Sequence, residues 1–316
     1  MPSPSGPGPP ASPSVTWPPS STPTSSSSQA AWSTSAPAGG TTWPPPTSAP
    51  PWARQPKPPS SVRPWAPTPP CSVPPPSSPT SPPARKNTVF TLDQLTDLLA
   101  GQLIVSAQAY PGEPMRDPRT TVQVAASAVL GGAAAVRVQG LADIQFTRTA
   151  VEVPVIGLWK DGHDGIFITP TLHHALAVAQ AGAHIVALDG TLRDRPDGLT
   201  LTQVIDEVHA SSNALVMADC DSLDSALAAA DAGADFIGTT LAGYTGARPK
   251  TDGPDLELIE AIAARELGRP LIAEGRFHTP AQAKAALDAG AHAVVVGTAI
   301  THPISITSWF KEAMTQ

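Results

Sequence analysis

Between residues 87 and 316 the sequence predicts an α/β fold of the (β/α)8, or TIM-barrel, class. Three observations carry this. Eight short apolar runs end in a polar residue or glycine, at 103–108, 134–137, 155–160, 185–189, 215–219, 236–240, 271–274 and 294–297. A stretch with helical spacing follows each run, and sequential βα units of this kind close into a barrel. No Gly-x-Gly-x-x-Gly segment follows Gln108, where an open doubly wound sheet would carry a glycine-rich first crossover.

The elements follow in order. Thr91 precedes leucines at 92, 95, 98 and 99, which predicts a short capped helix closing the barrel before the first strand. The apolar runs read as parallel strands covered on both faces. Helices are expected at 120–130, 141–150, 171–181, 201–210, 222–232, 255–267, 279–289 and 304–314. Asp221 or Ser222, Asp255 and Thr279 can accept from first-turn amides, and Pro280 suits the first helical position. Ala-Gly-Ala at 181–183, 232–234 and 289–291 supplies a glycine where a helix must stop.

Residues 1–86 have the opposite character. They hold 28 of the 39 prolines and 5 of the 7 tryptophans, with no Asp or Glu. Such a segment cannot bury enough apolar surface to order itself, so a disordered tail with polyproline II character is expected. Its prolines and tryptophans could engage a partner, but it reads sooner as a dispensable linker or as the product of an initiation codon assigned too far upstream, and no chemistry is assigned to it. The remaining 230 residues suit a single barrel of about 250 residues. They carry 14 basic against 26 acidic residues, a net charge of −12, which argues against nucleic-acid binding. Cys71 and Cys220 imply no disulfide framework. No apolar stretch reaches the ~20 residues of a membrane span, and no secretory signal is visible, so a cytoplasmic protein without membrane contact is expected.

In this fold the chemistry lies at the carboxyl ends of the strands. Lys160 closes the third run, where a buried ammonium loses hydration and its pKa falls towards that of a usable base. Glu274 closes the seventh run, nearly opposite the third in an eight-stranded ring, so amine and carboxylate can approach one ligand from two sides. Gln108, Arg137, Asp189 and Asp219 end runs one, two, four and five. Arg137 can hold an anionic intermediate or depress the lysine, and Asp219 can orient the lysine, bind a hydroxyl or cap a helix. Gly275 after run seven and Gly297-Thr298 after run eight suit a phosphate bound by backbone amides. His173-His174 opens a helix and reads as exposed. No His/Cys cluster has metal-ligand spacing, so no metal site is expected.

With these residues placed, the chain from about 95 to 314 resembles the N-acetylmannosamine-6-phosphate 2-epimerases of bacterial sialic-acid catabolism. The resemblance rests on the segments at 103–114, 155–160, 167–169, 188–196, 217–219, 237–245, 272–280 and 294–301. Among the most specific are Ile-Gly-Thr-Thr-Leu-Ala-Gly-Tyr-Thr (237–245) and Ile-Ala-Glu-Gly-Arg-Phe-His-Thr-Pro (272–280). It implies interconversion of N-acetylmannosamine 6-phosphate and N-acetylglucosamine 6-phosphate by a cofactor-free homodimer. It further implies proton transfer by Lys160 and Glu274, with Gln108, Arg137 and Asp219 touching substrate or supporting the lysine. The tail has no counterpart in the family pattern.

Two positions depart from that pattern. The family's arginine after strand eight, which helps clamp phosphate, is His302 here, and Pro170 stands where alanine is usual. Imidazole is only partly charged at neutral pH and lacks the guanidinium fork. Phosphate affinity is therefore expected to be weaker or pH-dependent unless Arg276 compensates. Two rival readings are another phosphate-binding barrel, such as a pentose-phosphate epimerase or an aldolase, and a sugar-phosphate sensor without turnover.

Overall fold

The computed structural model describes residues 88–315. The expected tail at 1–86, with Cys71, lies outside the described residues.

Thr91 opens the first helix, α1 (Leu92–Leu99), with a capping box. Its hydroxyl accepts from the Gln94 amide, and the Gln94 side chain accepts from the Thr91 amide. The helix buries Leu95 and Leu99 completely among Ile104, Ile185, Phe236 and Ala293, which stand at the starts of four strands. It thus plugs the amino-terminal end of the barrel, as its leucine spacing predicts.

Eight parallel strands close in chain order, and β1 (Leu103–Ala107) pairs with both β2 (Ala135–Gln139) and β8 (Ala293–Val296). Between them stand β3 (Val155–Leu158), β4 (Ile185–Asp189), β5 (Leu215–Asp219), β6 (Phe236–Gly238) and β7 (Leu271–Glu274). The outer layer is α2 (Pro118–Leu130), α3 (Leu141–Ala150), α4 (Leu172–Gln180), α5 (Leu201–Ser211), α6 (Leu223–Asp231), α7 (Leu256–Ala263) and α8 (Pro280–Asp288). Two helices end the chain, α9 (Thr298–Thr301) and α10 (Pro303–Ala313). No helix among the described residues is long and apolar enough to cross a membrane.

Caps fall where the side chains allow. Ser222 rather than Asp221 caps α6, Asp255 caps α7, and Thr279 caps α8 ahead of Pro280. Gly182, Gly233 and Gly290 each follow a helix-ending alanine with φ near +100°, a conformation that L side chains resist. One helix is shorter than expected: α7 stops at Ala263 instead of 267, since Glu266 and Gly268 both turn to positive φ. The helix expected over 304–314 begins at Pro303, and α9 precedes it.

A period of two assigns side chains to the two strand faces. Val136 and Val138, Ala218, and Ala273 pack outward against the helices. Ile156 and Leu158, Met217, and Ile272 belong to the inner cluster. Continuing that inner parity towards the carboxyl ends gives Gln108, Arg137 and Gln139, Lys160, Asp189, Asp219 and Glu274. The barrel interior is therefore apolar at one end and ionisable at the other.

Candidate active site

A cavity of about 870 Å³ opens at the carboxyl ends of the strands, with Gln108, Lys160 and Glu274 in its wall. Lys160 lies two residues beyond β3, in an antiparallel bridge with Ile168 that holds the backbone after the strand has ended. Its Nζ makes no hydrogen bond or ion pair with a described residue and stands over the Tyr110 ring, 5.5 Å from the centroid. Burial lowers its pKa to about 8, and the neighbouring Arg137 charge adds to the fall.

Glu274 ends β7 with 13% of its side chain exposed. Its Oε2 accepts from Arg137 Nη1 at 2.7 Å and lies 3.1 Å from Thr240 Oγ1. No hydrogen bond from a described residue reaches Oε1. Burial pushes the carboxyl up to about 7 against the opposing pull of Arg137, and Asp219 adds to the rise.

Arg137 and Asp219 form the layer beneath. Arg137 does not end its strand: β2 continues two residues to Gln139, so the guanidinium starts deeper than the apolar run alone suggested. Its Nη2 and Nη1 bond both Asp219 oxygens at 2.6 and 3.1 Å, and the two side chains are 1% and 0% exposed. Burial opposes the arginine's charge, but Asp219 and Glu274 together outweigh it and hold the group ionised. Neither residue lines the cavity. They support its wall, and Arg137 Nε is buried without a partner.

The remaining expected residues divide. Gln108 donates to Ser106 Oγ at 2.9 Å and keeps a buried, unpartnered Oε1. Gly275 (φ +118°), Gly297 and Thr298 line the cavity, and Gly297 starts α9 without a side-chain cap. Arg276 also lines it, but its guanidinium is committed to the segment after β6, donating to Gly253 O, Ala242 O and Thr251 Oγ1. His302 is engaged on both nitrogens. Nδ1 accepts from the Ser305 amide at the start of α10, and Nε2 meets Glu113 Oε1 at 2.8 Å. It stands in the cavity wall without a free donor for an anion.

Other side chains go beyond the sequence reading. Asp189 faces inward but is tied to Thr191 and Arg193, outside the cavity lining. His174 is buried rather than exposed, packed on Trp159 and bonded to Thr171 and Asp161. Tyr110 and Arg116 line the cavity although no strand-end pattern marks them, and so does Thr240, which closes the sixth run but was given no role there. Arg116 is held by Asp143, a buried carboxylate in the first turn of α3. No group of three or more His, Cys, Asp or Glu that could hold a metal ion occurs among the described residues.

Fold and site together define the class: a (β/α)8-barrel enzyme whose mouth brings a largely buried amine and a largely buried carboxyl to one cavity. A family profile described as "Putative N-acetylmannosamine-6-phosphate epimerase" matches residues 121–316. The chain belongs to that family. A Cutibacterium acnes protein of the same description, as a 2-epimerase, is 60% identical over 223 residues, covering 70% of this chain and 97% of its own. One from Caldanaerobacter subterraneus is 45% identical over 215 residues, covering 67% and 90%. Among solved structures, the N-acetylmannosamine-6-phosphate 2-epimerase of Clostridium perfringens matches with a TM-score of 0.67 and 38% identity, covering 69% of this chain and 96% of that one.

Proposed function

We propose that this chain interconverts N-acetylmannosamine 6-phosphate and N-acetylglucosamine 6-phosphate by moving the C2 proton of the open-chain sugar. The observation that carries the reading is Lys160 and Glu274 in one cavity, with pKa values near 8 and 7. Epimerisation needs one group able to take a proton and another able to give one, with the roles exchanged in the reverse direction. An ordinary lysine and an ordinary glutamate differ by about six pKa units, which would fix the proton on the amine. Here burial moves both towards neutrality, the amine down and the carboxyl up, so each can take or give a proton near pH 7.

Ring opening exposes the C1 aldehyde, which acidifies the C2–H. Lys160 takes or returns that proton on one side, and Glu274, through its unengaged Oε1, serves the other side or the sugar oxygen. Arg137 and Asp219 act from below: the guanidinium fixes Oε2 of Glu274 and keeps a positive field beside the amine and the developing enolate. The Gln108 amide faces the sugar. The phosphate is held by backbone amides at Gly275 and at Gly297-Thr298, where the first turn of α9 has no side-chain cap. Arg276 shapes this corner by anchoring the neighbouring segment, and His302 contributes its surface.

A homodimer belongs to the same reading. α10 buries none of its residues and exposes Ile304 and Phe310. A cytoplasmic location fits a doubly charged substrate that a bilayer would exclude.

The test is a proton NMR time course in heavy water starting from N-acetylmannosamine 6-phosphate. The expected result is appearance of the second sugar together with loss of the C2 proton signal. The rate should follow a narrow bell in pH. Below about 7 both groups carry protons and no base is free; above about 8 both have lost them and no acid remains. Turnover without C2 exchange, or a flat profile between pH 6 and 9, would overturn the reading.

A further inference from the structure

The twin threonines after β6 have no role in the acid–base scheme, yet both act on Glu274. Thr239 serves its backbone: Oγ1 accepts from the Glu274 amide and donates to the Glu274 carbonyl, each at 3.0 Å. β6 is only three residues long, so this side chain continues the ladder to β7 after the strand has ended. Thr240 serves the carboxyl. Its Oγ1 lies 2.6 Å from Asp219 Oδ1 and 3.1 Å from Glu274 Oε2. Gly238 leaves the necessary room, since a Cβ there would stand 3.1 Å from Asp219 Oδ1 and 2.5 Å from Met217 Cε.

A threonine hydroxyl has one hydrogen and two carboxyl neighbours. Asp219 is paired through both oxygens with Arg137, which makes it a charged acceptor, and the shorter distance belongs to it. Charge-assisted O–H···O⁻ bonds are the short ones. The hydrogen therefore points to Asp219, and only a lone pair of Thr240 Oγ1 is left facing Glu274 Oε2. A lone pair repels a carboxylate oxygen, so it disfavours the ionised form of Glu274 and leaves Oε1 as the atom that takes and gives the proton. We infer that Thr240 is a positioning residue that, by donating to Asp219, stabilises the protonated form of Glu274 and so prepares it as the proton donor.

This inference rests on Glu274 being the proton-transfer carboxyl of the proposed epimerase, but its mark can be read without substrate. Four groups face that carboxyl: Arg137 from β2, Lys160 beyond β3, Asp219 from β5 and Thr240 beyond β6. Only Thr240 can be altered without changing the charge around it.

The experiment is a pH titration of the Glu274 carboxyl by carbon NMR on full-length protein with labelled glutamate side chains, assigned with Glu274→Gln. Thr240→Val removes the hydroxyl at nearly constant volume, and Thr240→Ser keeps it. The midpoint is expected to fall by about one pH unit in the valine variant and to stay within about 0.3 unit in the serine variant. The acid limb of C2 exchange should move with it. A rise in Thr240→Val would mean that the hydroxyl donates to Glu274, and no change would mean that it is silent; either overturns the inference. If Thr240→Val does not fold, Thr240→Ala carries the same expectation. Should wild-type protein show no epimerisation while the midpoint still falls, the inference about Thr240 stands and the functional reading falls.

Discussion

The two ends of the barrel interior are built from the same eight strands and obey different physics. At the amino-terminal end, Leu95 and Leu99 of α1 meet Ile104, Phe236 and Ile185 in an apolar plug. Two to four residues further along the strands, the same inward positions carry Arg137, Asp219, Glu274 and, just beyond β3, Lys160. The first end follows the hydrophobic rule and contributes stability. The second holds charges away from water, where each must be paired or shift its proton affinity. Stability and chemistry are thus separated along the barrel axis by one or two layers of side chains.

This contrast can be broken or sharpened by substitution. The largest effect is expected for Lys160→Met, which should reduce C2 exchange by at least about 10³-fold. The same variant should melt no lower than wild type. The folded protein holds Lys160 below its unfolded pKa, so the charged amine opposes folding at neutral pH and its removal relieves that cost. A clear drop in melting temperature would show that the lysine belongs to the stabilising end after all. Leu95→Ala should do the reverse, lowering unfolding free energy by about 2–5 kcal/mol through a cavity. Its kcat/KM should stay within about twofold of wild type. Chemical denaturation and initial rates on the same preparation decide between separated and coupled ends. The smallest effect is expected for Arg276→Met, which frees the segment after β6 from three hydrogen bonds. A rise in KM of about tenfold, the worth of roughly one net hydrogen bond, should come with little change in kcat. An unchanged KM would remove Arg276 from the substrate corner.

Much of this was legible in the sequence because a barrel repeats one grammar. The apolar runs and capped helices set the strand order, and the period of two turned Lys160 and Glu274 inward whatever the intervening loops contained. Arg137 was harder. The run 134–137 ends at a charge, yet β2 continues through Val138 to Gln139, and only the register with β1 and β3 shows how deep the arginine sits. Arg276 and His302 were visible as residue types but not as engaged ones, since their partners, Gly253 and Ala242 for one and Glu113 for the other, lie 23 to 189 positions away. Tyr110 and Arg116 sit well past a strand end, where no periodicity says which way a side chain points. Thr240 instead closes the sixth run in step with Phe236 and was passed over as a residue without an obvious acid–base role. It carried one further signal, its place in a segment specific to the resembling family.

Lys160 reaches the cavity because it keeps step with Ile156 and Leu158 even after β3 has ended. Chain length between Leu158 and Lys160 thus matters more than the identity of Trp159. One residue added directly after Leu158 would swing the amine outwards among the helices and bring an indole over the sugar. Loops around this mouth can change in composition over long timescales, but at that junction a single-codon insertion or deletion is a harsher event than most replacements.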